Sequence, residues 1–286
     1  MKEAKDALED PTDISDDVEV LVRFIKAPIT DVELITLYTN SQNPVSEAQL
    51  KANDSIQKRL KRDFDNYSPP YFYSIKEGDW RILSRDEKQK YENRVINMIQ
   101  AAQVLYAFLK DPAFARRYRI ELFSKKYHEI FKKDIKIEEV LLPWRILQVV
   151  DNNIRMFRMD DFNKMKRNPS QFDEENRNKI LRREFLIYSN LLFLYFFHLL
   201  IRKRYGDYTP KVVNKLLNNQ LDDRVQQLFD YIVAVLEFSE RITAERNLPR
   251  YLKNIQNISL LYREVEKEIE KDKARRKDIL EETFPN

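Results

Sequence analysis

The run "FLIYSNLLFLYFFHLLI", residues 185–201, is the one membrane-like stretch of the chain, and its reading decides the fold. A membrane-spanning helix needs about 20 predominantly apolar residues. This run has 17, contains Ser189, Asn190 and His198, and passes into charged helical sequence at both ends. A helix that is apolar all round and too short to span a bilayer is one buried on all sides by other helices. The expectation is therefore a central core helix, with no membrane as partner.

Composition agrees. Among 286 residues only Gly78 and Gly206 are glycines, while Leu, Ile, Lys, Glu and Arg are abundant. Tight hairpins and phosphate-cradling loops need more glycine than this, so the expected class is mostly α, and P-loop and dinucleotide fingerprints are excluded. Cysteine is absent, which removes disulfides, thiolate metal sites and cysteine nucleophiles and fits a cytoplasmic protein. The two histidines, His128 and His198, are far apart and lie in no HExxH pattern. Neither a cofactor nor a metal site is expected. Residues 1–17 are charged from the start and lack the apolar core of a signal peptide.

The net charge of +4 is unevenly spread. Residues 1–19 hold eight acids against Lys2 and Lys5, which leaves the remainder near +10. A basic body behind an acidic leader suits a polyanionic partner, and it also suits ordinary solvated helix faces.

Along the chain, an acidic lead-in at residues 1–17 precedes "VEVLVRFIK", residues 18–26, whose alternation reads as one short strand. Thr30 with Glu33, Ser46 with Gln49 and Ser84 with Glu87 form capping boxes, the first two with staples Ile29–Leu34 and Val45–Leu50. The helix from Ser46 is expected to span residues 47–67, with Ala48, Ala52, Ile56, Leu60 and Phe64 on its inner face and Lys51, Lys58, Arg59, Lys61 and Arg62 largely on the remainder. Tyr71, Tyr73 and Trp80 flank Gly78, where extended segments joined by a turn, a hairpin, are expected. From Ser84 the pattern is helical almost to the end. A helix through Leu109 is followed by one started by Asp111-Pro112, and further helices fit 137–159, 173–205, 210–217, 221–246 and 249–280. Asn168-Pro169-Ser170 divides a small α+β and helical part, residues 18–167, from a multi-helix bundle, residues 171–286.

Catalytic constellations are not evident. Asp160-Asp161 and Asp222-Asp223 read as helix-start or loop charges, and the alternating charges from Glu264 as a solvated helix face. The strand carries Glu19 followed by Val20 and Leu21, not the Glu-x-Lys of a metal-dependent nuclease. Nucleic-acid binding needs spaced cations and flat rings for stacking. The cations between Lys51 and Arg62 supply the first, and Tyr71, Tyr73 and Trp80 supply the second unless they pack into the core.

Two stretches carry more than a class. "LYTNSQNPVSEAQLKANDSIQKRL", residues 37–60, and "YFYSIKEGDW", residues 71–80, resemble the AIPR family, the abortive-infection phage-resistance proteins of bacteria. The family pattern there is a strand, a helix, a T-N-S-Q-N-x-V turn, an A-N-D-x-I-Q-x-x-L helix and a Y-F-Y-E-R-x-x-G-x-W segment. Ser74 and Ile75 replace the usual Glu and Arg. The resemblance implies phage defence, and it marks Asn40, Ser41, Gln42, Asn43, Asn53, Asp54, Gln57, Arg59, Tyr71, Tyr73 and Trp80 as motif or binding residues. Family members are usually longer, with an N-terminal region that is sometimes nuclease-like, so it further implies a C-terminal portion. The expected role is an interaction or nucleic-acid-sensing module without its own catalytic centre. Candidate partners are a nucleic acid, an N-terminal nuclease-like region or subunit, and a second copy of the chain. The alternatives are a nuclease component whose active site lies upstream or in another subunit, and a helical dimerisation scaffold.

Overall fold

The computed structural model describes Pro28 and residues 46–284 apart from 77, 93, 208, 219, 276 and 277. The chain divides into two compact units, Met1–Val45 and Ser46–Asn286, and every element below belongs to the second. The expected strand at 18–26, the helix from Thr30, the residues Asn40, Ser41, Gln42 and Asn43, and Val45 as partner of Leu50 lie outside the described residues.

Ser46 opens helix α1, Glu47–Lys51, with the expected box: its hydroxyl accepts the Gln49 N–H at 3.2 Å, and the Gln49 side chain accepts the Ser46 N–H at 2.8 Å. The single helix expected over 47–67 is in fact two. The Asp54 carboxylate accepts the Ile56 N–H at 2.8 Å and so acts as the N-cap of α2, Ser55–Asp65. A short acidic side chain that captures its own backbone competes with helix propagation, and here it starts a new helix instead. The inner stripe survives the break, since Ala48, Ala52, Ile56, Leu60 and Phe64 are all buried.

Among the described residues no hairpin forms at Gly78. Strand β1, Phe72–Ser74, pairs in parallel with β2, Val95–Asn97, in the register Phe72↔Val95, Tyr73↔Ile96 and Ser74↔Asn97. A parallel pair requires a crossover. It is supplied by the turn at Gly78, whose φ of +90° few side chains tolerate, and by α3, Arg85–Tyr91, capped by the Ser84–Glu87 box. The helix expected to run on from Ser84 to Leu109 stops because Glu92 turns left-handed, with φ of 46°. Asn97 then caps α4, Met98–Leu109, by accepting the Ile99 N–H at 2.8 Å.

The remaining elements are helical and include α5, Pro112–Arg117; α6, Ile137–Met156; α7, Glu174–Arg182; α8, Asn190–Tyr205; α9, Pro210–Leu216; α10, Leu221–Leu236; α11, Ile255–Ala274; and α12, Ile279–Thr283. Several are shorter than their sequence periodicity. Helix α6 passes into a π-turn at Phe157–Phe162. Helix α7 is separated from α8 by a 3-10 turn at Glu184–Tyr188 and an 81° bend, where the buried Ser189 returns its hydroxyl to the Leu186 carbonyl. Helix α10 ends where the buried Glu237 pairs with Arg183. The segment expected as one helix over 249–280 comprises Leu248–Tyr251, α11 and the start of α12.

Helix α8 contains most of the opening apolar run and packs against α4, α5, α6 and α12. Phe193, Leu194, Phe196, Phe197 and Leu200 are each 0% exposed. Burial of each such side chain contributes about 1.5–3 kcal/mol. One cluster of buried hydrophobic residues runs from Ala48 to Phe284, so these helices share a core. Among the described residues no single helix is long and apolar enough to cross a membrane.

The start of α5 offers a local check. The Asp111 carboxylate accepts the N–H groups of Ala113 at 2.8 Å and Phe114 at 2.9 Å, and Pro112 occupies the first helical position. Asp111→Ala is expected to cost about 1 kcal/mol in urea unfolding. An unchanged midpoint and slope would show that the cap contributes nothing.

Candidate functional site

Helix α2 carries most of the A-N-D-x-I-Q-x-x-L pattern, residues 52–60. Its side chains do three separable things. Towards the interior, Gln57 is 0% exposed and lies between two tyrosines: the Tyr73 hydroxyl donates to Gln57 Oε1 at 2.8 Å, and Gln57 Nε2 donates to the Tyr127 hydroxyl at 3.1 Å. A buried amide must satisfy both its donor and its acceptor, and this relay does so. Burial pushes the Tyr127 hydroxyl up to about 12, opposed by the Gln57 hydrogen bond and reinforced by the nearby Asp54 carboxylate. Tyr73 is likewise raised well above the ordinary range, by burial first and then by Tyr127.

On its flank, Arg59 donates to the backbone carbonyls of Lys133 at 3.1 Å and Ile135 at 2.8 Å, and the Lys51 ammonium sits 4.7 Å from the centre of the Tyr127 ring. Lys51, Gln57 and Arg59 thus fasten the segment 127–135 to the helices. Asn53 is exposed in the turn between α1 and α2.

The segment at residues 71–80 is aromatic packing. Tyr73 stacks on Phe64 with centroids 5.1 Å apart and planes at 18°, and Tyr71 meets Phe64 edge-on at 6.1 Å. Both tyrosines are buried, the second of the two readings given above. Trp80 is half-buried, and with Phe72 and Tyr91 it forms a cluster with ring separations of 5.3, 5.3 and 6.3 Å. Lys61, Lys88 and Lys90 lie 5.7, 5.9 and 5.0 Å from the Phe72, Trp80 and Tyr91 rings respectively. Asp65 accepts from Lys90 at 2.7 Å and from the Tyr91 hydroxyl at 2.6 Å, and these two bonds hold its carboxyl below the usual range.

The outer face of α2 presents Lys58 and Arg62 one turn apart, both exposed. The segment that Arg59 holds adds exposed Lys132, Lys133 and Lys136. Sequence spacing did not join these two groups, because the link is a side chain reaching backbone 74 and 76 residues away. The run "FKKDIK", residues 131–136, was the available signal. Asp63, 3.9 Å from Arg62, and exposed Asp134 are acids of the same region. Exposed cations on two segments joined in this way are the kind of group that can track a phosphate backbone.

The acid pairs are placed otherwise. Asp160 pairs with Lys164 at 3.0 Å and Asp222 with Arg145 at 2.7 Å. Among the described residues no group of three or more His, Cys, Asp or Glu side chains could hold a metal ion.

Comparison with curated proteins and with solved structures finds no match. The family model described as "AIPR protein" matches residues 1–282, which takes in α2, the aromatic segment and the helical bundle alike, and the chain belongs to the AIPR family.

Proposed function

We propose that this protein acts in abortive-infection antiphage defence, the role its family is named for, as a cytoplasmic nucleic-acid-sensing module. The observation that carries this reading is the exposed basic surface formed by Lys58 and Arg62 on α2 and by Lys132, Lys133 and Lys136 on the segment clamped by Arg59. The clamp fixes the spacing of the cations before any partner arrives, so little ordering is needed on binding. Trp80 is the motif aromatic left partly accessible, and it supplies a stacking edge beside Lys88.

The test is a plaque assay on cells expressing the whole chain or a variant carrying Lys58→Glu, Arg62→Glu and Lys133→Glu. These three side chains are exposed, so the variant is expected to fold. Protection by the unaltered chain and its loss in the variant is the expected result. Protection that survives charge reversal contradicts the proposed surface, and no protection by either contradicts the defence role.

A further inference from the structure

A groove of about 610 Å³ runs between α10 and α11, on elements that take no part in the basic surface of α2. The two helices lie antiparallel: the Tyr231 hydroxyl donates to Asp272 at 2.9 Å near one end of the groove, and Arg241 pairs with Glu264 at 2.7 Å near the other. The α10 wall is largely apolar, formed by Tyr231, Ala234, Val235 and, just past the helix end, Phe238. Phe238 is 65% exposed, with the Arg182 guanidinium 5.1 Å from its ring centre. Ala234 is exposed as well, so this wall is open to water.

The α11 wall is charged and is formed by Glu264, Lys267, Glu268 and Lys271. These positions are i, i+3, i+4 and i+7, which places them on one face of the helix. It adjoins the face that buries Ile258, Leu261, Val265 and Ile269. Glu266 and Glu270 are engaged elsewhere, both pairing with Lys203 of α8, at 2.9 and 2.6 Å.

The signs along the α11 wall run acid, base, acid, base, and reversing the helix gives base, acid, base, acid. An antiparallel copy of α11, related by a two-fold axis between Lys267 and Glu268, therefore sets Glu264 against Lys271 and Lys267 against Glu268, each pair occurring twice. A two-fold interface brings the same patch of both subunits together and so must be complementary to itself, which this row of charges is. The face is also balanced in charge. Its acids are Glu240, Glu264, Glu268 and Asp272, and its bases are Lys267 and Lys271 together with Arg241 on Glu264 and Arg275 at 3.8 Å from Asp272. A strongly basic or strongly acidic partner gains little from such a surface.

We propose that the α10–α11 face is the interface of a homodimer, the occupant of the groove being the same face of a second copy. Phe238 and the apolar wall supply the buried centre, and the charges of α11 fix the antiparallel register. Helix α11 has 20 residues, and one face of it, about 30 Å long and about 10 Å wide, falls short of the about 800 Å² that a stable interface takes from each partner. The α10 wall must therefore be covered too. The interface shares no residue with the basic surface of α2, so either can fail without the other.

Sedimentation velocity of the whole chain over a range of concentrations is expected to show a dimer in equilibrium with monomer. Phe238→Ser, at an exposed position, is expected to fold and to raise the dissociation constant about tenfold or more. Charge exchange tests the register. Lys267→Glu and Glu268→Lys each set like charges opposite one another across the two-fold axis, so each alone is expected to dimerise at least about tenfold more weakly. Mixed together, the two variants have opposite charges in both central pairs, and a heterodimer of near-original affinity is expected to form, which also shows that both are folded. A concentration-independent monomer, which would leave the face to another segment of the chain or to a different protein, overturns the proposal. So does a dimer indifferent to Phe238→Ser and to both charge reversals, or a failure of the mixed variants to pair while each keeps the helical circular dichroism of the unaltered chain.

Discussion

Gln57→Ala is expected to destabilise the protein by about 3–5 kcal/mol, combining lost packing with the desolvation cost of the Tyr73 hydroxyl left without its acceptor. Tyr73 is 1% exposed and Gln57 Oε1 is the acceptor of its hydroxyl, so removal of the amide strands a buried donor that water does not reach. Tyr127 loses its donor in the same step. The relay reading makes a sharper claim than the single variant. If Tyr73→Phe is added to Gln57→Ala, the stranded hydroxyl disappears, and the double variant should be more stable than the sum of the singles by about 1–2 kcal/mol. Urea unfolding measures all three, and strict additivity would show that the two residues do not interact.

The second large effect is acid destabilisation through His198. Burial first, then the charges of Arg202 and Lys110, depress its pKa from 6.5 to about 4. The folded protein therefore keeps the imidazole neutral where the unfolded chain protonates it. Between about pH 6.5 and pH 4 the unfolded state binds more protons, so stability is complete above that window and falls as the pH drops through it. The loss from pH 7 to pH 4.5 is on the order of 2–3 kcal/mol from this group. Carboxylates titrate in the same range, so the comparison is with His198→Leu, which keeps an apolar side chain in α8. The unaltered protein should lose more stability over that interval than the variant. Parallel curves for the two would assign the acid sensitivity to other groups.

Much of this architecture was legible because it is written locally. Ser46 with Gln49, Ser84 with Glu87, and Asp111-Pro112 each start a helix by chemistry contained within four residues, and each does so in the structure. The buried run at 185–201 and the stripe from Ala48 to Phe64 follow from periodicity alone. What periodicity could not mark is where a helix stops for a reason outside its apolar stripe. Asp54 breaks the Ser46 helix by capturing a backbone N–H, Glu92 by turning left-handed, and Ser189 by bonding back to Leu186, and none of these interrupts the apolar pattern. The strand pairing is equally silent, because Val95–Asn97 is recruited by Phe72–Ser74 across an intervening helix.

The candidate site divides along the same line. The A-N-D-x-I-Q-x-x-L pattern was visible as a string of polar residues, but its contacts are made with partners about 70 positions away: Gln57 with Tyr127, and Arg59 with Lys133 and Ile135. Those contacts show why such residues sit on a helix that also carries exposed cations. Asp54 sets where the helix begins, Gln57 and Arg59 fix a second segment against it, and Lys58 and Arg62 are left facing outward. A substitution of Arg59 would therefore act on the surface indirectly, through the placement of Lys132, Lys133 and Lys136.

The most direct test of that surface is the salt dependence of binding, by fluorescence anisotropy, of the whole protein to single- and double-stranded DNA and RNA. The basic-surface reading predicts that the logarithm of the affinity falls linearly with the logarithm of salt concentration, and that the slope drops by about 1 for each phosphate contact removed by Lys58→Glu, Arg62→Glu or Lys133→Glu. Binding to none of these polymers at low salt, or binding whose affinity and slope are the same in the charge-reversed protein, would contradict it.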